Sequence, residues 1–245
     1  MFAMSGREKL KTYIESARRI VFFGGAGVST ESGIPDFRSE NGVFKAMQAF
    51  GHAPEVLLSI GFFERKPEVF YEYYRSLLMC PGAQPNPAHK ALARLEQAGK
   101  LRAVVTQNID GLHQMAGSQN VLEVHGSMHR NHCVRCKAAY TQGDVLAQNG
   151  VPRCSCGGII RPDIVMYGEM LEEAVISAAA RHIQEADMLI VGGTSLVVYP
   201  AAGLVRHFLG DKLVLINKTE TSYDNKAQLV LHEPIGEVLG SVVPE

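Results

Sequence analysis

The side chains best suited to chemistry in this chain fall into two groups of telling spacing. The first is Cys133-x-x-Cys136, a gap of seventeen residues, and Cys154-x-Cys156. Four thiolates so placed suit tetrahedral zinc, which is closed by four protein ligands where its role is structural. Pro152 and Gly157-Gly158 supply the turns such a loop needs, and no residue with a reacting role lies inside it. One structural zinc ion on Cys133, Cys136, Cys154 and Cys156 is therefore expected, with His129 or His132 as substitute ligands and incidental or reactive thiols as the competing reading. Cys80 stands apart and reads as a buried or half-buried free thiol.

The second group follows the apolar, β-rich run of residues 20–23. Gly24-Gly25-Ala26-Gly27 comes next, then the hydroxyls Ser29, Thr30 and Ser32. A strand feeding a glycine turn lets a phosphate approach the backbone, and the amides of a following helix start add donors and a positive dipole. The third glycine of the dehydrogenase fingerprint would fall at Thr30, which weighs against hydride transfer. One helix terminus contributes only ~0.3–2 kcal/mol to an anion, whereas micromolar binding needs about 8 kcal/mol. Other strand ends must therefore help.

The sequence offers Gln107-Asn108-Ile109-Asp110, His125-Gly126, Gly193-Thr194-Ser195 and Asn217, each directly after an apolar run. Taken singly, Asn108, Asp110, Thr194, Ser195 and Asn217 also suit caps and turns. His125 closes the alternating stretch 121–124, and histidine is the side chain type suited to proton transfer near neutral pH, which fits a general base.

These residues need elements to hold them. Residues 5–18 have the apolar spacing of an amphipathic helix, 40–81 read as a helical insertion, and Asn86-Pro87 opens a helix over 88–97 that Gly99 closes. Short apolar runs at 20–23, 103–106, 121–124, 164–166, 188–191, 213–216 and 228–231 alternate with helical patterns, clearest at 171–185 and 201–209. Such runs predict a doubly wound α/β domain with a parallel sheet buried on both faces. Its first strand must be central if the glycine turn is to bind a ligand beyond the carboxyl ends of the strands.

Twenty-four basic and 25 acidic residues leave a net charge of −1, so no bulk attraction to nucleic acid or membrane is expected. Arg130, Arg135, Lys137 and Arg153 around the cysteines read as a solvated zinc loop. The first eleven residues carry Arg7, Glu8, Lys9 and Lys11 and lack a secretory apolar core, and no apolar run is long enough to span a membrane. A cytoplasmic location is expected.

Together these motifs resemble the sirtuins, the NAD-dependent protein-lysine deacylases, across nearly the whole chain. The resemblance rests on Gly25-Ala26-Gly27-Val28-Ser29, Gly33-Ile34-Pro35-Asp36-Phe37-Arg38, Thr106-Gln107-Asn108-Ile109-Asp110-Gly111-Leu112-His113, His125-Gly126, the four cysteines, Gly193-Thr194-Ser195-Leu196 and Asn217. It implies a Rossmann-like NAD domain from 1–39, 85–128 and 161–245. A small domain would combine the helical insertion 40–84 with the zinc module 129–160, and NAD would lie in the cleft between.

By the same resemblance, Gly25, Ala26, Gly27, Ser29 and Thr30 meet the pyrophosphate side, and Asp36, Phe37 and Arg38 belong to a mobile cofactor loop. Gln107, Asn108, Ile109 and Asp110 surround the nicotinamide, while Thr194, Ser195, Asn217 and Ile235 hold the adenosine side. Val165 and Tyr167 line a lysine channel, and Gly168-Glu169 and Leu196-Val197-Val198 offer two edges to the substrate backbone. His125 and Asn108 are the implied catalytic residues. Nicotinamide leaves as the acyl oxygen attacks the ribose, His125 acts as base on a ribose hydroxyl, and water then releases free lysine and O-acyl-ADP-ribose.

Protein mono-ADP-ribosylation from the same NAD pocket is the alternative. Family members that prefer acidic acyl groups carry Tyr-x-x-Arg. Here Tyr71 is followed at that spacing by Tyr74, with Arg75 one place later, so neutral groups such as acetyl are expected.

Overall fold

The computed structural model describes residues 4–36 and 39–243, apart from the side chain of Asn41; the expectations for Phe37 and Arg38 lie outside the described residues. The chain runs through α1 (Gly6–Ser16), β1 (Ile20–Gly24) and two single 3₁₀ turns, Ala26–Val28 and Thr30–Ser32. Four short helices come after them: α2 (Glu40–Phe50), α3 (Pro54–Leu57), α4 (Ile60–Arg65) and α5 (Pro67–Tyr73), the last running into a π-helical turn, Tyr74–Leu78. Next come α6 (Pro87–Gln97), β2 (Leu101–Thr106), α7 (Leu112–Met115), β3 (Val121–Glu123), β4 (Gly126–Cys133), β5 (Ala139–Thr141), α8 (Gln142–Leu146) and β6 (Ile160–Ile164). The chain closes with α9 (Glu173–Glu185), β7 (Met188–Gly192), a 3₁₀ helix (Ala201–His207), β8 (Lys212–Ile216), a 3₁₀ turn (Asp224–Lys226), β9 (Leu229–Leu231) and α10 (Ile235–Val242).

Six of these strands form one parallel sheet in the order β3-β2-β1-β7-β8-β9. The first strand is central, as a ligand-binding turn at its end requires. Every residue of β1 is buried because both faces of the sheet are covered. Side chains alternate across a strand: Phe22 packs with Leu10, Ile14, Leu92 and Val238 of α1, α6 and α10. Val21 and Phe23 pack instead with Ile183 of α9 and Leu204 of the 3₁₀ helix. Local signals agree with this packing. Ser5 and Glu8 close a reciprocal capping box at the start of α1, whose inward residues Leu10 and Ile14 are one turn apart. Among the described residues no helix is long and apolar enough to cross a membrane.

One expected strand belongs elsewhere. The run 164–166 is not in the parallel sheet; Ile164 ends β6, which pairs antiparallel with β4 in a three-stranded sheet of order β5-β4-β6. In β6 the buried Ile160, Pro162 and Ile164 alternate with the part-exposed Arg161 and Asp163, the pattern of a sheet covered on one face. The covered face shares a core with Leu57, Phe63, Phe70, Tyr71 and Tyr74 of the helical insertion. The segment 201–209 is helical as expected, but its turns over Ala201–His207 are 3₁₀.

Two histidines lie where no water reaches. His89 on α6 and His113 on α7 are buried with ring centroids 4.7 Å apart. His89 Nδ1 accepts the Asn86 amide at 3.3 Å, completing the cap of α6. Burial pushes His89 down to about 4, and burial together with the neighbouring His89 holds His113 well below the usual histidine range. In the unfolded chain both titrate near 6.5. Below that pH the unfolded state takes up protons that the folded pair refuses, so stability falls as pH drops from about 6.5 toward 4. Melting temperature measured between pH 7.5 and 4.5 should decline over this window, and the decline should be shallower in His113→Phe; an identical slope in that variant would assign the acid sensitivity to other groups.

Candidate active site

The glycine turn is built differently from a strand-to-α-helix cradle. The strand β1 leads into the pair of 3₁₀ turns, so the expected α-helical dipole is absent from this end of the strand. The Gly25 amide donates to the Gly192 carbonyl at 3.3 Å and the Gly27 amide to the Gly193 carbonyl at 2.8 Å. A Cβ on Gly27 would sit 2.8 Å from Gly193 Cα, and one on Gly25 would sit 2.9 Å from Thr194 Cβ. These glycines let the loops after β1 and β7 lie backbone against backbone. Thr30 Oγ1 donates to the Gly27 carbonyl at 2.9 Å, and Gly33, at φ 83°, ends the second turn. Asp36 lies just before α2, its carbonyl accepting the Ser39 hydroxyl at 2.7 Å.

Strand ends that are distant in sequence meet here through buried side chains. Asn108 Nδ2 donates to Ser29 Oγ at 3.0 Å, and Ser29 Oγ donates to Asp110 Oδ2 at 2.7 Å. The other Asp110 oxygen accepts the Leu112 amide at 3.0 Å and so caps α7. Gln107 Nε2 donates to Thr194 Oγ1 at 3.0 Å, which ties the end of β2 to the end of β7. Ser29, Gln107, Asn108 and Thr194 are all buried. His125 Nδ1 lies 3.1 Å from the Gln107 carbonyl. A carbonyl only accepts, so Nδ1 carries the proton and the lone pair of neutral His125 is on Nε2. That is the tautomer a general base at Nε2 requires.

A cavity opens beside this web. Ala26, Ser29, Gln107, Asn108, Ile109, Asp110 and His125 line one side, and Val165, Tyr167, Gly168, Glu169 and Val198 line another. The other expected residues that the structure describes lie outside its lining. Ser195 and Val197 are exposed close by, and Leu196, at φ 56°, turns its side chain into the core. Asn217 at the end of β8 donates to the Thr219 carbonyl at 2.8 Å, and Ile235 is buried at the start of α10.

Sequence reasoning missed the apolar wall made by Leu58, Leu77, Leu78, Met128, Ile164 and Met166, and also Ile34, Pro35, Leu171, Tyr199 and Pro200. Apolar residues of the insertion share one periodicity whether they face a core or a cavity. Only the placement of Ile34-Pro35 inside a recognised motif offered a signal.

The residues at the anionic-acyl positions turn away from the cavity. The Tyr71 hydroxyl donates to the Ile160 carbonyl, and burial pushes both Tyr71 and Tyr74 well above the usual tyrosine range. Arg75 donates to the carbonyls of Gly150, Val145 and Gln148, the latter two at 3.2 and 2.9 Å. Its guanidinium is thus engaged with the loop beside the cysteines.

Cys133, Cys136, Cys154 and Cys156 place their sulfurs within 4.8 Å of one another, with 3.5 Å between Cys133 and Cys156 and between Cys136 and Cys154. Zinc–sulfur bonds of ~2.3 Å in a tetrahedron put sulfurs about 3.8 Å apart, so this donor set fits the ion. Backbone amides of Arg135 and Cys156 point at Cys133 and Cys154 sulfurs at 3.4 and 3.5 Å, as suits thiolates. His129 and His132 are occupied elsewhere, by the Asp110 carbonyl and the Asp163 carboxylate. Cys80 is half-buried and separate.

Residues 25–200 match the Sir2 family. The chain is 57% identical over 237 residues to a protein of Clostridium perfringens named NAD-dependent protein deacetylase, covering 96% of this chain and 97% of that one. A Staphylococcus aureus protein of the same name is 48% identical over 238 residues, covering 97% and 98%. Among solved structures, a Sir2 enzyme with a p53 peptide and NAD+ superposes with a TM-score of 0.85 at 40% identity, covering 98% of this chain and 97% of that one. Another, with 2'-O-acetyl-ADP-ribose, a deacetylated p53 peptide and an inhibitor, gives 0.83 at 40% identity and 96% of both chains.

A structural zinc contributes ~10–16 kcal/mol of apparent binding energy to local folding. The purified protein should carry about one zinc per chain, and its removal by a chelator should raise amide exchange across 129–160 and abolish activity. Metal loss with exchange and activity unchanged would assign the thiols another role.

Proposed function

The chain belongs to the Sir2 family, and we propose that it removes acetyl groups from lysine side chains of proteins, consuming NAD. The observation that carries this reading is His125, held in one tautomer by the Gln107 carbonyl and facing a cavity shared with Asn108, Ile109 and Asp110. Relatives at about half identity over nearly full length are named NAD-dependent protein deacetylases. When bound, NAD supplies the ADP-ribose that accepts the acyl group, with nicotinamide as leaving group.

Each residue then has a task. His125 takes a proton at Nε2 from the accepting ribose hydroxyl. Asn108 and Asp110, fixed through Ser29, order the polar end of the cavity and, with Ile109, would hold the nicotinamide group. Gly25, Ala26, Gly27, Ser29 and Thr30 border the pyrophosphate, and Thr194, Ser195, Asn217 and Ile235 the adenosine side. Asp36 would stand beside the cofactor.

The substrate backbone adds to the edges at Gly168-Glu169 and Leu196-Val197-Val198, in the manner of strand addition. Val165, Tyr167 and the apolar wall receive the acyl-lysine chain. The zinc module and the helical insertion form the smaller domain, with no cysteine among the described residues that line the cavity. A cytoplasmic location goes with five cysteines that form no disulfide.

Incubation with NAD and acyl-lysine peptides, with products identified by mass, should yield nicotinamide, free lysine and O-acetyl-ADP-ribose; ADP-ribose retained on protein instead would indicate transfer to protein. His125→Ala should lower turnover by ~10²–10⁴, the range of a lost general base, while NAD still binds. Near-normal turnover would remove His125 from that role. Because Arg75 is committed to the loop 145–150, acetyl-lysine should be processed much faster than succinyl-lysine, and equal rates would contradict this assignment.

A further inference from the structure

Residues 166–169 make a tight turn that is closed twice. The Glu169 amide donates to the Met166 carbonyl at 3.0 Å, with Gly168 between them at φ 93° as a type II turn requires. The Glu169 carboxylate also reaches back to accept the Met166 amide at 2.9 Å. Both of its oxygens are held in turn by Arg161, Nη1 at 2.8 Å and Nη2 at 2.9 Å, and the same Nη2 donates to the Ile164 carbonyl at 3.0 Å. The pair is mostly withdrawn from solvent, with side chains 14% and 26% exposed. The Arg161 guanidinium also lies 5.8 Å from the centre of the Phe63 ring. A planar fork gripping both carboxylate oxygens fixes orientation as well as distance.

Both Glu169 carboxylate oxygens are therefore engaged within the protein, where they set the path of its own backbone. Just upstream, the Val165 amide donates to the His125 carbonyl at 2.9 Å, and Tyr167 is hooked to Leu58 and Ile60 by 2.9 and 3.0 Å backbone bonds. Those contacts anchor the start and middle of the segment, and Arg161 anchors its far end. Arg161 itself stands on β6, opposite His132 of β4.

We infer that Arg161 is a positioning residue for the substrate peptide, acting through Glu169 to hold the 166–169 turn at the height where its backbone accepts the peptide strand. This rests on the deacetylase reading above. Strand addition draws its affinity from main-chain hydrogen bonds, so a tilted turn weakens peptide binding while NAD binding and the chemical step stay intact. A merely structural arginine would lower stability without separating the two substrates.

The test is steady-state kinetics of the full chain with NAD and one acetyl-lysine peptide. Arg161→Met should raise the peptide KM about tenfold, the scale of losing part-buried charge-assisted hydrogen bonds, with kcat and the NAD KM within about twofold of wild type. Arg161→Lys, a point charge in place of a fork, should fall between. Glu169→Gln should raise the peptide KM in the same way, and its combination with Arg161→Met should be no worse than the worse single change, since both remove one clamp.

A peptide KM unchanged in all three variants, an equal rise in the NAD KM, or additive effects in the double variant would overturn the inference. Should Arg161→Met not fold, Arg161→Lys and Glu169→Gln decide the question alone. Failure of the wild-type protein to deacetylate any peptide would instead refute the underlying function, a result distinct from any pattern among the variants.

Discussion

A buried polar group must find a partner inside the protein, and at the carboxyl edge of the large sheet four of them find one another. Ser29, Asn108, Gln107 and Thr194 are each withdrawn from water, and each is bonded to a residue from a different strand end. Leaving one such group unpaired costs ~1–3 kcal/mol, a large share of the ~5–15 kcal/mol that stabilises a typical domain. The web therefore holds the loops after β1, β2 and β7 in one arrangement. Asp110 extends it to the start of α7, and the Gln107 carbonyl extends it to the histidine ring. The order of the sheet matters because only adjacent strands β2, β1 and β7 bring these ends within reach.

Much of this is legible in the chain itself, for physical reasons that differ by element. The continuous apolar runs mark strands covered on both sides, and centrality of the first follows from the glycine turn at its end. Cysteine spacing is legible because a tetrahedral ion admits few loop lengths. The stretch 164–166 misleads because three apolar residues have no period, while the true strand, Ile160–Ile164, hides its alternation behind a buried proline. The turn after β1 reads as the opening of an α-helix; the chain instead makes two single 3₁₀ turns that meet at Ser29, and Gly33, at φ 83°, ends the second. The cavity wall from Leu58 to Met166 is not legible, since a side chain facing an open cleft and one facing a packed core are equally apolar.

The two sheets divide the work. The parallel sheet brings the hydroxyls, amides and carboxylate of its loops to one edge, and the small sheet brings the cysteine cluster to one end and β6 to the other side of the cavity. Connection between them is direct: β4 starts at Gly126, immediately after His125, and finishes at Cys133 of the four-cysteine cluster. The π-helical turn at Tyr74–Leu78 shifts the helical register where Arg75 leaves for the loop 145–150 and where Leu77 and Leu78 enter the cavity wall.

The contact between the loops after β1 and β7 has a consequence for how such a protein can change. A Cβ on Gly193 would lie 2.3 Å from the Val28 nitrogen, and one on Gly27 would lie 2.8 Å from Gly193. Neither side of that seam can drift alone, because any enlargement strikes backbone, which cannot rotate away as a side chain can. Change near the seam has room only at outward-facing positions such as Ser195 and Val197, whose side chains meet solvent. The seam behaves as a fixed bearing in an otherwise adjustable mechanism. Engineering for a different nucleotide or acyl chain therefore has most freedom at the rim and least at the two glycine loops.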